Sequence, residues 1–244
     1  MKKTMKLIIA IMVGIFMVAC GNKSEEKVTK IFVGTNAEFA PFEYLEDGKT
    51  VGFDMDLIAA ISKEIGVEME IKDMSFDGLL PALQANKVDM IIAGMTATEE
   101  RKKAVNFSEA YYKANQVIIT TEDAKDIPNF EGLKGKKVGV ILGFTGDIIA
   151  SEIDGVDVKK YNAGYASIMD LKAGKIDAVV LDGEPAKNFV KNNKGIKITS
   201  AEGEKEEYAM AVSKDNTQLL EDINTALAKL KEDGTYDELL KKWF

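Results

Sequence analysis

The feature that most constrains the fold is a short pattern that occurs twice. Residues 86–94 read NKVDMIIAG, and residues 174–183 read GKIDAVVLDG. In each copy a lysine, a β-branched residue and an aspartate precede an apolar run, which is typical of a buried strand in an α/β sheet. The repeat therefore predicts two equivalent βα units in two lobes. The copies differ at Gly94 and Asp182, which fall at the carboxyl ends of the strands, where such sheets bind ligands.

Segments of strand type and helix type alternate from residue 31 to the end of the chain. IFVGT at 31–35 is typical of a strand, whereas residues 53–66 carry an apolar stripe of helical period that ends in a glycine. Thr96 and Glu99 have the spacing of a helix-capping box. The alternation predicts an α/β protein with mainly parallel sheets.

Composition excludes several functional classes. The formal net charge is -8, which argues against a nucleic-acid partner. Histidine is absent, so the commonest general base and metal ligand is missing, and Cys20 is the single cysteine. We therefore expect no intramolecular disulfide, no metal and no cofactor. Of 32 basic residues only Arg101 is an arginine, and its planar fork suits a carboxylate as lysine does not.

The N-terminus has the organisation of an export signal. MKKTMK is basic, and the apolar run Leu7–Val18 is shorter than the ~20 residues that span a bilayer. It ends in MVACG, which resembles the lipobox of bacterial lipoproteins. Residues 1–19 are therefore predicted to be a lipoprotein signal peptide, with lipid on Cys20 and a tether over 20–29. The alternative is a plain secretory signal with an incidental cysteine.

Seven further segments form a recognisable set: GTNAEFAPFEY (34–44), VGFDMDL (51–57), AGMTATEERKKAVNFS (93–108), YY (111–112), LKGKKVGVILGFTG (133–146), AGKIDAVVLD (173–182) and DGTYDELLKKWF (233–244). Together they resemble the extracytoplasmic polar amino-acid-binding proteins of ABC importers, the family that includes glutamine-, histidine- and arginine-binding proteins. The resemblance covers about residues 30–244.

That resemblance implies a two-lobed periplasmic-binding-protein type II fold, also called a Venus flytrap, with lobe 2 inserted into lobe 1. Lobe 1 would comprise 30–114 and 210–244, and lobe 2 would comprise 118–206. Hinges are expected near 115–117 and 207–210. The implied function is to bind a free amino acid between the lobes and deliver it to a membrane permease, as a monomer and without catalysis.

The same resemblance assigns contacts to the ligand's α-groups. Arg101 would bind the α-carboxylate, and Asp182 would pair with the α-ammonium. Gly94 and Thr96 would offer backbone groups and a hydroxyl. Thr145 and Gly146 are also expected to contact the ligand. They stand at the start of a lobe 2 helix, where the free backbone N–H groups favour anions.

Four more residues are expected around the ligand side chain. By resemblance, Phe39 and Phe76 would enclose it. Asn36 stands where several relatives with basic ligands have aspartate, which weakens the case for a cationic ligand. Glu38 lies two positions on, on the same side of an extended segment, and would replace the lost charge. Its alternative is a solvated surface residue.

The ligand class stays open at this level. Arginine, lysine or ornithine is the first expectation, and glutamine or another polar neutral amino acid is the second. Relatives of the fold also include dehydratases, so an enzyme is a remote alternative, and a lipoprotein on the cell surface could serve in addition as an adhesin.

Overall fold

The computed structural model describes residues 30–200 and 205–244. The predicted signal peptide, Cys20 and the tether lie outside these ranges. Within them, none of the helices has the length and apolar character needed to cross a bilayer.

Helices and strands alternate as the sequence predicts. The elements in chain order are β1 (Ile31–Thr35), β2 (Glu38–Phe39), β3 (Glu43–Glu46), β4 (Lys49–Val51), α1 (Phe53–Ile65), β5 (Met69–Asp73), α2 (Phe76–Gln84), β6 (Met90–Ile91), α3 (Glu99–Ala104), β7 (Asn106–Phe107), β8 (Tyr112–Thr121), a 3₁₀ turn (Phe130–Leu133), β9 (Lys137–Ile141), α4 (Thr145–Glu152), β10 (Asp157–Tyr161), α5 (Gly164–Lys172), β11 (Ala178–Asp182), α6 (Gly183–Asn192), β12 (Ile196–Ser200), β13 (Lys205–Tyr208), β14 (Ala211–Val212), α7 (Thr217–Glu232) and α8 (Thr235–Trp243).

One sheet, with strand order β5-β1-β6-β14-β7, forms the centre of lobe 1. Helix α1 follows the predicted apolar stripe and ends at Gly66, whose left-handed φ of 70° suits glycine. Helices α7 and α8 from the end of the chain pack on α1. Phe244 packs at the edge of this lobe and stays half-exposed; its ring lies 5.2 Å from Phe42, 5.4 Å from Phe53 and 4.9 Å from Tyr112, measured between centroids.

A second sheet, with strand order β10-β9-β11-β8-β12, forms the centre of lobe 2. All its strands lie between β7 and β14 of the first sheet in chain order, so lobe 2 is inserted into lobe 1. One apolar cluster fills a side of this sheet, around Ile118, Val138, Val140 and Val180. The burial of these β-branched residues on adjacent strands holds the sheet to its covering elements.

The two chain crossings between the lobes pair with each other. Strand β13 runs antiparallel to the first part of β8, from Lys205 opposite Asn115 to Tyr208 opposite Tyr112. The rest of β8 continues into the lobe 2 sheet, where it is antiparallel to β11 and β12. Both sheets are therefore mixed, because β14 in lobe 1 and β8 in lobe 2 run against their neighbours. The other four strands of each strand order share one direction, as expected for mainly parallel sheets.

The predicted capping box is displaced by two residues. Thr98, not Thr96, caps helix α3, and its hydroxyl accepts the Arg101 N–H at 3.2 Å. Thr96 instead forms a β-bridge with Tyr208 of the returning crossing. The prediction failed because both threonines precede the helix, and tertiary pairing decided which one is free to cap it.

The repeated aspartates make the same backbone clamp in both lobes. Asp89 precedes β6; its carboxylate accepts the Phe32 N–H at 2.7 Å, and its own N–H donates to the Phe32 carbonyl at 2.8 Å. Asp177 precedes β11 and makes the same two bonds to Lys137, both at 2.7 Å. Each aspartate therefore fixes where its strand begins to pair with its parallel neighbour.

We expect Asp89→Ala to lower the free energy of unfolding by about 1–2 kcal/mol, because the Phe32 N–H loses its partner in a half-buried setting. Asp177→Ala should cost about 0.5–1 kcal/mol, since water can replace the carboxylate at this exposed position. Chemical denaturation measures both values. The control is Asp89→Asn, which keeps an acceptor oxygen and should stay near wild type; equal losses for Asn and Ala would contradict the clamp.

Candidate functional site

The predicted site residues come together where the lobes meet. Thr96 and Arg101 follow β6 in lobe 1, whereas Thr145 and Asp182 lie at the ends of β9 and β11 in lobe 2. The Thr145 hydroxyl donates to the Thr96 hydroxyl at 3.1 Å across the cleft. The carboxyl ends of the strands of both sheets therefore face one another, as expected for α/β sheets.

Arg101 spans the cleft from lobe 1. It is 7% exposed; one guanidinium nitrogen donates to the Thr96 carbonyl and another to the Gly143 carbonyl of lobe 2, both at 2.8 Å. Its guanidinium carbon lies 5.3 Å from the centroid of the Phe76 ring. Burial lowers the pKa of Arg101, and the carboxylates of Asp182 and Glu206 act in the opposite direction. A buried guanidinium of fixed orientation is suited to bind a carboxylate bidentately.

Asp182 lies opposite Arg101 in lobe 2 and is 3% exposed. It precedes helix α6 but makes no side-chain cap; its carboxylate accepts the Tyr208 hydroxyl at 2.5 Å. Burial raises the pKa of Asp182, while the hydrogen bonds from Tyr208 and Gln116 and the charge of Arg101 lower it. The carboxylate is thus fixed and largely desolvated, as a partner for a cation requires.

Gly94 is where the protein backbone must approach an aromatic ring. Its φ is +52°, and a Cβ there would lie 2.4 Å from a ring carbon of Phe39. Its N–H donates to the buried Asp54 carboxylate at 3.1 Å, and Tyr111 donates to the same oxygen at 2.8 Å. The N–H that was expected to face a ligand is therefore bound inside the protein, and Gly94 contributes backbone shape.

Gly146 also has a packing role. It is the second residue of α4, and a Cβ would lie 3.0 Å from both Gln116 Oε1 and Val180 Cγ1. Glycine therefore lets the start of α4 lie close against the sheet. This places Thr145, the first residue of the helix, at the cleft.

Three phenylalanines line the cleft. Phe39 and Phe76, both predicted, lie in lobe 1, and each contacts Phe144 of lobe 2 at centroid distances of 5.3 Å and 4.3 Å. Phe144 was missed from the sequence, although it immediately precedes the predicted Thr145. Its position directly before the helix start that carries Thr145 was the available signal.

A cavity extends from the aromatic residues along the interface. Asn36 and Glu38 border it from lobe 1, and Asn162 borders it from lobe 2; its other lining residues are Phe39, Ile141, Phe144, Gly164, Leu181 and Phe189. Asn36 donates to the Met74 carbonyl at 3.1 Å. Glu38 is the one charged residue among the lining residues, and partial burial and then Asp73 raise its pKa.

Three residues of the two crossings were also missed. Gln116 on β8, and Glu206 and Tyr208 on β13, are buried and polar, and all three lie beside Asp182 or Thr96. A glutamine before the apolar run VIIT was one available signal. Among the residues that the structure describes, no group of three His, Cys, Asp or Glu side chains could hold a metal ion.

The chain belongs to the bacterial extracellular solute-binding proteins, family 3, whose model matches residues 31–244. The predicted family and the two-lobed α/β type II fold with an inserted second lobe are thereby confirmed.

Its relatives include proteins of known ligand. The arginine-binding extracellular protein ArtP of Bacillus subtilis is 36% identical over an alignment that covers the whole chain and 98% of the relative. An ancestral arginine-binding protein bound to arginine has a TM-score of 0.86 and 48% identity, over 88% of this chain and 98% of that one. An ancestral arginine-binding protein bound to glutamine has a TM-score of 0.85 and 48% identity, over 88% of this chain and 97% of that one.

Proposed function

We propose that the protein captures a free basic amino acid, namely arginine, lysine or ornithine, between its lobes and delivers it to an ABC permease. The observation that carries this proposal is the pair of opposite buried charges in the cleft, Arg101 from lobe 1 and Asp182 from lobe 2. An amino acid has a carboxylate and an ammonium one carbon apart. The arginine suits the first group and the aspartate the second.

The α-groups would be bound by residues of both lobes. The Arg101 donors, which point at two backbone carbonyls, would turn to the ligand carboxylate, and the free N–H groups at the start of α4 beside Thr145 would assist. Thr96, Gly94 and Asp182 surround the place of the ammonium. Because each lobe supplies part of this set, ligand binding would favour the closed arrangement.

Recognition of the side chain would occur between the aromatic rings and in the adjoining cavity. Phe39, Phe76 and Phe144 offer ring faces to an aliphatic or guanidinium chain. Glu38 supplies a carboxylate at the far end. The names of the relatives that bind arginine support this class.

A polar neutral ligand is the second candidate. The relative solved with glutamine supports it, since a site of this family can hold an amide side chain. Asn36 and Asn162 are amides on the cavity wall that would suit such a ligand. Dehydratase activity is the remote alternative and would be detected as product formation.

The hinges near 115–117 and 207–210 would carry the closing motion, with 30–114 and 210–244 in lobe 1 and 118–206 in lobe 2. The pairing of β8 with β13 supports this assignment, because it joins the two crossings in a ladder over 112–115 and 205–208, which overlaps both hinge ranges. A small rotation of one lobe relative to the other about this ladder would open the cleft.

The protein would work outside the cytoplasm as a monomer, held to a membrane by lipid on Cys20. The extracellular family supports the location. The tether over 20–29 would let the lobes reach the permease.

A thermal-shift screen of all amino acids tests the ligand class. A basic amino acid at ~100 times its dissociation constant should stabilise the protein by ~2.7 kcal/mol. Glu38→Gln should weaken arginine at least about threefold and leave glutamine nearly unchanged, as expected for one partly solvated charge pair. Equal affinity of Glu38→Gln and wild type for arginine would show that Glu38 is a solvated surface residue without a role in binding. Stabilisation by glutamine alone would favour the second candidate.

Arg101→Lys tests the recognition of the carboxylate. Lysine keeps the charge and loses the fork, so affinity should fall at least about tenfold for every amino acid alike. Calorimetry with arginine and glutamine measures the loss. Lys102→Arg, a reciprocal exchange at an exposed position of the same helix, is the control. Near wild-type affinity of Arg101→Lys for both ligands would exclude the assigned role.

Cys20→Ser tests the anchor. The variant should leave the membrane fraction or stay uncleaved, because a thiol is required for lipid attachment, and ligand affinity should not change. Fractionation and mass spectrometry of the mature protein are the measurements. A wild-type protein without lipid mass would refute the anchor.

A further inference from the structure

A second buried carboxylate, that of Glu206, lies beside the site. Glu206 is on β13, is 6% exposed, and accepts the Thr96 hydroxyl at 2.8 Å and the Gln116 amide at 3.3 Å with its Oε2 atom. Its Oε1 atom is fully buried and has no hydrogen-bond partner. An unpartnered buried carboxylate oxygen costs free energy, and a native protein that retains one calls for a functional explanation.

The hydroxyl groups next to Glu206 form a chain with a fixed direction. Thr145 donates to Thr96, and Thr96 donates to Glu206. A hydroxyl has one proton, so Thr96 can only accept hydrogen bonds from any further group. The ionised carboxylate of Glu206 therefore makes Thr96 an acceptor, which suits an ammonium group and not a second acceptor.

Charges around Glu206 come from three elements. Asp182 at the end of β11 repels it, Arg101 on α3 attracts it, and on its own strand Tyr208 donates to Asp182. Gln116 on β8 donates its amide to Glu206, and Thr145 on α4 is a neutral neighbour whose hydroxyl donates to Thr96. In the proposed complex Arg101 would pair with the ligand carboxylate, so the two ionised carboxylates of Asp182 and Glu206 would both face the ligand ammonium.

We infer that Glu206 is a positioning residue for the ligand's α-ammonium group, acting through the Thr96 hydroxyl and through its charge. This inference rests on the proposed function, because it requires that an amino acid occupies the cleft. It assigns Glu206 to the part of the ligand that all amino acids share, whereas Glu38 concerns the side chain.

Binding should then be coupled to proton release. Burial and then the Asp182 charge raise the pKa of Glu206 to about 7 in the free protein. An ammonium nearby stabilises the ionised form, so ligand binding lowers this pKa. At about pH 6 the carboxyl group must lose its proton for binding, and affinity should be about tenfold weaker than at about pH 8.

Calorimetry of the purified mature protein with arginine, in two buffers of different ionisation enthalpy, tests the inference. Wild type should release nearly one proton at about pH 6 and almost none at about pH 8. Glu206→Gln should release none at either pH, and its affinity at about pH 8 should fall about tenfold or more, for glutamine as well as for arginine. The matched control is Glu207→Gln, the same change on the exposed face of the same strand, which should behave as wild type.

Three outcomes would overturn the inference. The first is a wild-type protein that binds arginine without proton release, a result that needs no variant to fold. The second is a Glu206→Gln variant that releases the same number of protons, which would assign them to Asp182. The third is a Glu206→Gln variant whose affinity is unchanged and whose melting temperature is lowered, which would mean that Glu206 stabilises the fold and does not position the ligand. If wild type binds neither arginine nor glutamine, the proposed function fails instead.

Discussion

The antiparallel pairing of β8 with β13 is the constraint on which the site depends. Because the chain enters lobe 2 on one strand and leaves on the other, the two crossings form a single ladder between the lobes. The buried polar residues Glu206 and Tyr208 lie in this ladder, and Gln116 follows it directly on β8, opposite Asp182. Any rotation of the lobes therefore acts on the hydrogen bonds of Asp182 and Thr96, which these residues hold. The proposed hinge and the candidate site are therefore one continuous structure.

Much of the fold could be predicted because its signals are local. The apolar stripe of α1, its terminal glycine and the repeated strands depend on neighbours in sequence, and these predictions are confirmed. The antiparallel direction of β8 and β14 could not be predicted, since it depends on partners far away in the chain. Cap choice before α3 failed for the same reason: Thr96 and Thr98 are equally good caps until Tyr208 pairs with the first.

The residues of the candidate site also fall into those that could be predicted from the sequence and those that could not. Arg101, Thr96, Thr145 and Asp182 could be found from sequence through a family resemblance, and the structure brings them together. The packing roles of Gly94 and Gly146 could not be predicted from the sequence, because the close approach to Phe39 or to Val180 exists only after folding. Glu206 was missed because one glutamate in a charged stretch looks like a solvated residue. Only the alternation of exposed and buried positions along β13 separates it from Glu207.

The construction of lobe 1 from two chain segments, one on each side of lobe 2, has a consequence for the order of assembly. Helices α7 and α8 follow lobe 2 in the chain and pack on α1, which precedes it, so lobe 1 lacks part of its apolar interior until these helices have emerged. Lobe 2 is one uninterrupted segment and has all its strands much earlier. A chain delivered from its N-terminus can thus complete the inserted lobe first and close the surrounding lobe around it last.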